Sequence, residues 1–252
     1  MTLASADFSL EGRTAIVTGA NTGIGQGIAA ALAAAGARIA AVGRSPMDET
    51  AKLIPDSAML AIRADLSTTA DNQRIIDETL AWTGDLDILV NNAGIIRRSD
   101  AIDFTEEDWD AVMDTNLKSA FFLAQAAGRI MLPRGRGKII NVASILSFQG
   151  GIRIASYTAS KGGLAGITRL LSNEWAARGV NVNAIAPGYV VSNNTQALRD
   201  DPDRSKAILD RIPAGRWGRP QDIGGAAVYL ASPAADYVHG TVLAVDGGWL
   251  AR

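Results

Sequence analysis

The chain has 252 residues, 48% apolar and 20% charged, with 26 glycines, no cysteine, one histidine and a formal net charge of −2. That length and apolar fraction suit an α/β domain with a sizeable core and argue against disorder. The charge balance offers no basis for nucleic-acid binding, the missing cysteines exclude disulfides and thiol nucleophiles, and a lone His239 leaves no material for a His-based metal site or a Ser-His-Asp triad.

The opening MTLASADFSLEGR has neither a basic start nor a long apolar run, so no signal peptide is expected and the cytoplasm is the expected compartment. The longest uncharged stretch, Thr14–Ala37, is long enough for a bilayer span, but its five glycines, Asn21, Thr22 and Gln26 read as a buried strand, a Gly-rich turn and an Ala-rich helix. Strands are predicted at Ala15–Thr18, Arg38–Val42, Ala58–Ile62, Ile88–Asn91, Lys138–Val142, Asn181–Ile185 and Val242–Val245. Helical spacing recurs over Thr69–Trp82, Glu106–Ile130, Tyr157–Arg178 and Gln221–Ala231. Ile- and Val-rich strands with little polar alternation suit a sheet covered on both faces. Their alternation with helices predicts one Rossmann-type, doubly wound parallel sheet of about seven strands. No linker or repeat interrupts residues 1–252, which form one expected domain. The long polar segment Gly188–Pro213 follows a strand end and is a candidate substrate lid.

After the first strand comes Thr18-Gly19-Ala20-Asn21-Thr22-Gly23-Ile24-Gly25. In a strand–turn–helix setting, Gly19 permits a tight turn, Gly23 lets backbone approach a pyrophosphate, and Gly25 lets the helix pack close to the strand. The helix N-terminus then offers free N–H groups and partial positive charge to phosphate.

These residues resemble the TGxxxGxG motif of the short-chain dehydrogenase/reductase family. Asn91-Asn92-Ala93-Gly94 resembles its NNAG, Pro187-Gly188 its PG after the sixth strand, and Asn116, Ser144, Tyr157 and Lys161 its active-site tetrad. The motifs span nearly the whole chain in the expected order. The resemblance implies a nicotinamide dinucleotide bound by Gly19, Asn21, Thr22, Gly23, Ile24 and Gly25, by Asp65 and Leu66 at the adenine, by Asn92, Ala93 and Gly94, and by Pro187, Gly188, Val190 and Ser192. It also implies that Asn116 supports a water linked to Lys161.

Tyr157 and Lys161 stand at i and i+4, so phenol and ammonium share one helix face. A free phenol, with pKa about 10, is a poor base near neutrality; a neighbouring cation is expected to lower that value. Ser144, past the fifth strand, is placed to hold a substrate oxygen while Tyr157 moves its proton. At the end of the second strand, Gly43 stands where an acidic residue often receives the ribose of NAD, and Arg44 follows, suited to a 2′-phosphate. That pair favours NADP(H).

Stretches outside the family-wide motifs carry finer information: Asn92–Arg98, Ser147–Arg153, Asn193–Gln196 and Asp246–Arg252. They resemble the 2-dehydro-3-deoxy-D-gluconate 5-dehydrogenases, also called 2-deoxy-D-gluconate 3-dehydrogenases. That resemblance implies keto-deoxy sugar acids as substrates and favours NAD(H), against the Gly43-Arg44 pair. Gluconate 5-dehydrogenase, a 4-deoxy-5-hexulose uronate reductase, a 3-oxoacyl carrier-protein reductase and a non-catalytic NAD(P)-sensing protein are the alternatives. A sugar acid calls for a carboxylate clamp and hydroxyl partners. Arg97, Arg98 and Arg153 flank the catalytic segments as candidates for the first, and Gln149, Asn193 and Asn194 for the second, beside Ser144 and Tyr157; of the three arginines Arg98 is the one most expected in a surface ion pair. His239 is expected to be structural, and Trp109, Trp175, Trp217 and Trp249 to pack helices and interfaces. The apolar C-terminal end resembles relatives that assemble as homotetramers. Neither a nucleic-acid nor a membrane partner is expected.

Overall fold

The computed structural model describes residues 7–252; Met1–Ala6, which open the N-terminal stretch read above, lie outside the described residues. Among them run β1 (Thr14–Thr18), β2 (Arg38–Gly43), β3 (Met59–Arg63), β4 (Ile88–Asn91), β5 (Gly137–Val142), β6 (Val180–Pro187) and β7 (Val242–Val245). They form one sheet of order β3-β2-β1-β4-β5-β6-β7 in which every pairing is parallel. The helices are α1 (Gly23–Ala34), α2 (Asp48–Ala51), α3 (Asn72–Thr83), α4 (Glu106–Met113), α5 (Ser119–Arg134), α6 (Ala155–Trp175), α7 (Gln196–Arg199), α8 (Pro202–Arg211) and α9 (Pro220–Ala231).

Alternation of side chains along each strand divides the core into two layers. Ala15, Val17, Ile39, Ala41, Ile88 and Val90 join Ile28 and Leu32 of α1 and Ile223 and Leu230 of α9 on one face. Ile16, Ala40, Val42, Leu89 and Ile139 join Ile75 of α3, Leu123 of α5 and Leu171 of α6 on the other. Each fully buried Ile or Leu contributes about 1.5–3 kcal/mol of transfer free energy. Both layers are apolar, so most strands show little of the polar alternation of a half-exposed sheet; β6, with the buried Asn181 and Asn183, is an exception. Strand order reverses between β1 and β4, which opens a crevice at the carboxyl ends of those strands.

Two segments differ from the predicted pattern. The helix predicted over Glu106–Ile130 is broken by a π-helical turn at Asp114–Lys118. Within it the Asn116 amide donates to Ile95 O (2.9 Å) while its carbonyl oxygen accepts from Ile95 N (2.8 Å). This long-range pairing leaves no trace in apolar periodicity. The predicted lid holds two short helices, α7 and α8. The Asp201 carboxylate starts the second by accepting from the N–H groups of Asp203 and Arg204, with Pro202 in the first turn. Beneath α8 lies a separate small core of Ile145, Ile208, Ile212 and Trp249. No helix among the described residues is long and apolar enough to cross a membrane.

Candidate active site

The crevice is a cavity of about 470 Å³ that runs from the N-terminus of α1 to Tyr157. At one end Gly19 and Gly23 take φ of +64° and +58°, conformations that side chains rarely adopt. A Cβ on Gly25 would lie 2.2 Å from Gly19 O, so only glycine lets α1 approach the turn this closely. The first turn of α1 holds no acidic residue, and Thr22 gives it no side-chain cap. Its N–H groups are therefore available to an anion.

The turn is fastened to β4 from below. The Thr18 hydroxyl donates to Val90 O and accepts from the N–H groups of Asn92 and Ala93 at 2.9 and 3.0 Å. The Asn92 amide donates to Thr18 O at 2.8 Å. Asn92 thus supports the turn with its side chain while also lining the cavity. Asn21 donates to Ser45 Oγ at 2.7 Å, and a Cβ on Gly43 would stand 2.7 Å from Asn21 Oδ1. A side chain at this position would have to displace the ends of Asn21 and Met47, and the exposed Arg44 borders the cavity beside it. Asp65 and Leu66 form the adjoining wall, held by an Asp71 carboxylate that accepts from Asp65 N at 3.0 Å. Gly94, Pro187, Gly188, Val190 and Ser192 complete the long wall. Every residue predicted to hold the dinucleotide therefore faces one cavity.

At the other end, α6 presents Tyr157 and Lys161. Lys161 is 4% exposed; its ammonium donates to Val142 O at 2.6 Å and lies 5.5 Å from the Tyr157 ring centre. Burial lowers its pKa to about 8. Burial also pushes the Tyr157 phenol above its ordinary value, partly offset by a hydrogen bond with Ser144 and the charge of Arg98. The predicted lowering by Lys161 is thus not met: the ammonium is engaged with Val142 O over the ring, and desolvation dominates. Ser144, at the start of the loop after β5, also accepts from Leu146 N at 3.2 Å. Asn116 is buried behind the cavity and reaches α6 through Ser160, whose hydroxyl lies 3.3 Å from its amide and donates to Tyr157 O at 2.8 Å.

The predicted substrate contacts divide. Asn193 and Asn194 line the cavity. Arg97 and Arg153 do not: their guanidiniums pair with Asp108 and Asp100 at 3.0 and 3.1 Å. Arg153 also takes φ +61°, and its carbonyl accepts from Ser99 N, so it joins two rim loops. Gln149 turns away, its side-chain oxygen accepting from Trp249 Nε1 at 3.3 Å. Arg98, expected in a surface ion pair, has none among the described residues. It donates to Asn194 O at 2.9 Å, and its charge reaches Tyr157. Arg98 closes the Asn92–Arg98 stretch and does not itself line the cavity, whereas Ser45 and Thr115, which no local motif marks, do. His239 sits at the far end of the strands, 3.2 Å from the Asn181 amide.

Comparison with known proteins agrees with this geometry. A family model described as enoyl-(acyl carrier protein) reductase matches residues 19–250. The 2-dehydro-3-deoxy-D-gluconate 5-dehydrogenase of Dickeya dadantii is 56% identical over 248 residues, covering 97% of this chain and 98% of its own. The enzyme of the same name from Bacillus subtilis is also 56% identical, over 97% of both chains. A crystal structure of a candidate 2-deoxy-D-gluconate 3-dehydrogenase from Agrobacterium tumefaciens with bound NADP superposes with a TM-score of 0.91. It is 59% identical and covers 98% of this chain and 100% of its own. The chain belongs to the short-chain dehydrogenase/reductase family.

Proposed function

We propose that this chain is a nicotinamide-dependent oxidoreductase that interconverts a secondary alcohol and a ketone on a keto-deoxy sugar acid, the reaction named for its 2-dehydro-3-deoxy-D-gluconate 5-dehydrogenase relatives. The observation that carries the reading is one cavity joining a bare helix N-terminus to Tyr157, Ser144 and Lys161. The site residues suit the dinucleotide: the Gly19–Gly25 turn takes the pyrophosphate, and Asp65 and Leu66 flank the adenine. When bound, the nicotinamide supplies or accepts the hydride at the reacting carbon.

The chain's own part is proton transfer and positioning. In reduction the Tyr157 phenol protonates the substrate oxygen while Ser144 donates a hydrogen bond to it. In oxidation the phenolate removes the hydroxyl proton. A pKa raised by burial keeps Tyr157 protonated and suits it as an acid. Lys161 stands over the Tyr157 ring with its ammonium on Val142 O, so it fixes the ring beside the cavity rather than lowering the phenol pKa. Asn116 holds the Ile95 segment and, through Ser160, the first turns of α6, so the phenol keeps its place.

NADP(H) is the preferred cofactor, because Arg44 borders the cavity with no ion-pair partner among the described residues, suited to a 2′-phosphate, beside a Gly43 that offers no carboxylate to the ribose. The substrate carboxylate meets Arg98, with Asn193 and Asn194 at its hydroxyls, and the segment 188–213 closes over it as a lid within a single domain. The enzyme is cytoplasmic and homotetrameric. Trp109, Phe122 and Leu170 are exposed on α4, α5 and α6, and β7 forms an open sheet edge near the exposed Tyr237. The exposed α4–α6 face and the open β7 edge give two isologous contacts, which closes a tetramer.

The test is a screen of sugar acids and gluconate, as alcohols and ketones, with both nicotinamides, together with the mass in solution. Turnover greatest on a 2-keto-3-deoxy acid supports the reading. Turnover confined to acyl thioesters, or absent with dinucleotide bound, overturns it.

A further inference from the structure

We propose that Trp249 is a positioning residue that latches the lid helix α8 to the loop following Ser144, and so sets affinity for the sugar acid without taking part in chemistry. The inference rests on the lid reading above. Trp249 belongs to the small core under α8, apart from both layers of the main sheet. It is 4% exposed, and its three contacts fall on the loop after Ser144, on α8 and on Tyr189. The indole N–H donates to Gln149 Oε1 at 3.3 Å, on the loop after Ser144. The Arg211 guanidinium, in the last turn of α8, lies 4.0 Å from the ring centre. The Tyr189 ring is tilted against it at 4.6 Å, between the cavity residues Gly188 and Val190.

The indole itself is held fast. The Asp246 carboxylate accepts from the N–H groups of Gly248 and Leu250 at 2.8 and 2.9 Å. The Arg252 guanidinium then donates to Asp210 O and Arg211 O, the carbonyls ending α8. Residues 246–252 therefore form a strap across the root of α8. A swing of α8 away from the strap breaks the Arg211 stack and the Arg252 bonds, and a swing of α8 together with the strap breaks the Gln149 bond, so either opening loses a contact of the indole. A buried indole needs its N–H partner, and a cation over an aromatic face is attractive, so both contacts favour the closed arrangement. A merely space-filling aromatic has no use for the N–H.

The test separates the N–H from the ring. Trp249→Phe keeps an aromatic ring and removes the donor. It is expected to raise the KM for the sugar acid about five-fold, with kcat and the dinucleotide KM changed less than two-fold. Gln149→Leu is expected to do the same, and the double variant to be no worse than the worse single, since one bond is lost once. Amide exchange over 202–211 is expected to quicken several-fold in Trp249→Phe and at least ten-fold in Trp249→Ala, with exchange in β4–β6 unchanged. Additive effects on KM, or exchange quickened equally in β5 and α8, overturn the latch. If the wild-type protein turns over no sugar acid, the functional reading fails, and the exchange measurements still decide the latch on their own.

Discussion

The two ends of the cavity are built differently. The dinucleotide end is made of backbone: glycine turns, the open N-terminus of α1 and the NNAG segment, all within a few residues of a strand end. The other end is lined by residues of the loops after β4, β5 and β6 and by α6, with pairings behind the lining such as Arg98 to Asn194 and Trp249 to Gln149. Backbone shape at a strand–helix junction tolerates few residue types, so it writes a readable pattern. Side-chain pairing between distant loops tolerates many, and writes no family-wide motif, only the stretches Asn92–Arg98, Ser147–Arg153, Asn193–Gln196 and Asp246–Arg252 that resemble one subgroup.

The sharpest way to break this division is at Tyr157, where the two ends meet. Tyr157→Phe removes the proton and leaves the ring. Turnover should fall about 10³-fold, while dinucleotide affinity, measured by titration of the purified variant, stays within two-fold. Comparable loss of affinity would mean that the phenol shapes the dinucleotide end and that the ends are not separable.

Lys161 offers a test through stability. Its pKa is about 8 in the folded protein against 10.5 when free, so burial disfavours the ammonium. Below pH 8 both states are protonated and the full penalty applies. Between pH 8 and 10.5 the folded protein sheds the proton first, and the penalty fades. Unfolding free energy should therefore rise over that window by about 3 kcal/mol relative to Lys161→Met, as denaturant titrations at stepped pH would show. A parallel course for the two proteins would place the ammonium in water rather than against Val142 O.

Most of the architecture was legible because it depends on local pattern. Ile- and Val-rich strands with little polar alternation marked both-face burial, and their alternation with helices marked a doubly wound parallel sheet, though not its strand order. Strand ends shifted by only a few residues, as at Asn181–Ile185, found within Val180–Pro187. The π turn at Asp114–Lys118 was not legible, since it answers a bond between Asn116 and the backbone of Ile95. The direction of the Tyr157 shift was missed for a related reason: helical spacing gives the distance to Lys161 but not how deeply both are buried. Arg153 and Arg97 lie close in sequence to the site residues, yet a nearby aspartate claims each one.

The 2′-phosphate corner belongs to the legible end, so one substitution should suffice to change it. Arg44→Ala should raise the KM for NADP(H) at least ten-fold and that for NAD(H) less than three-fold, because a hydrogen bond to a charged group is worth about 1.5–3 kcal/mol. Equal effects on both cofactors would make Arg44 a general contributor to the field rather than a phosphate partner.

The illegible end is sharpened by setting two arginines against each other. Arg153 stands by sequence between Ser144 and Tyr157, but its guanidinium is paired with Asp100 and more than half exposed. Exposed pairs of this kind contribute about 0–1 kcal/mol, so Arg153→Gln should change the KM for a sugar acid less than two-fold. Arg98 has no carboxylate to satisfy among the described residues, and its charge is felt at the Tyr157 hydroxyl, where a substrate must sit. Arg98→Gln should raise that KM about ten-fold and leave the KM of a neutral polyol nearly unchanged. Its loss should also move the acidic limb of the pH–rate profile for the phenol upward, since a cation that lowers the Tyr157 pKa has gone. The reverse ranking, with Arg153 dominant, would mean that the rim loops rearrange around Asp100 when substrate enters, and that proximity along the chain was the better guide.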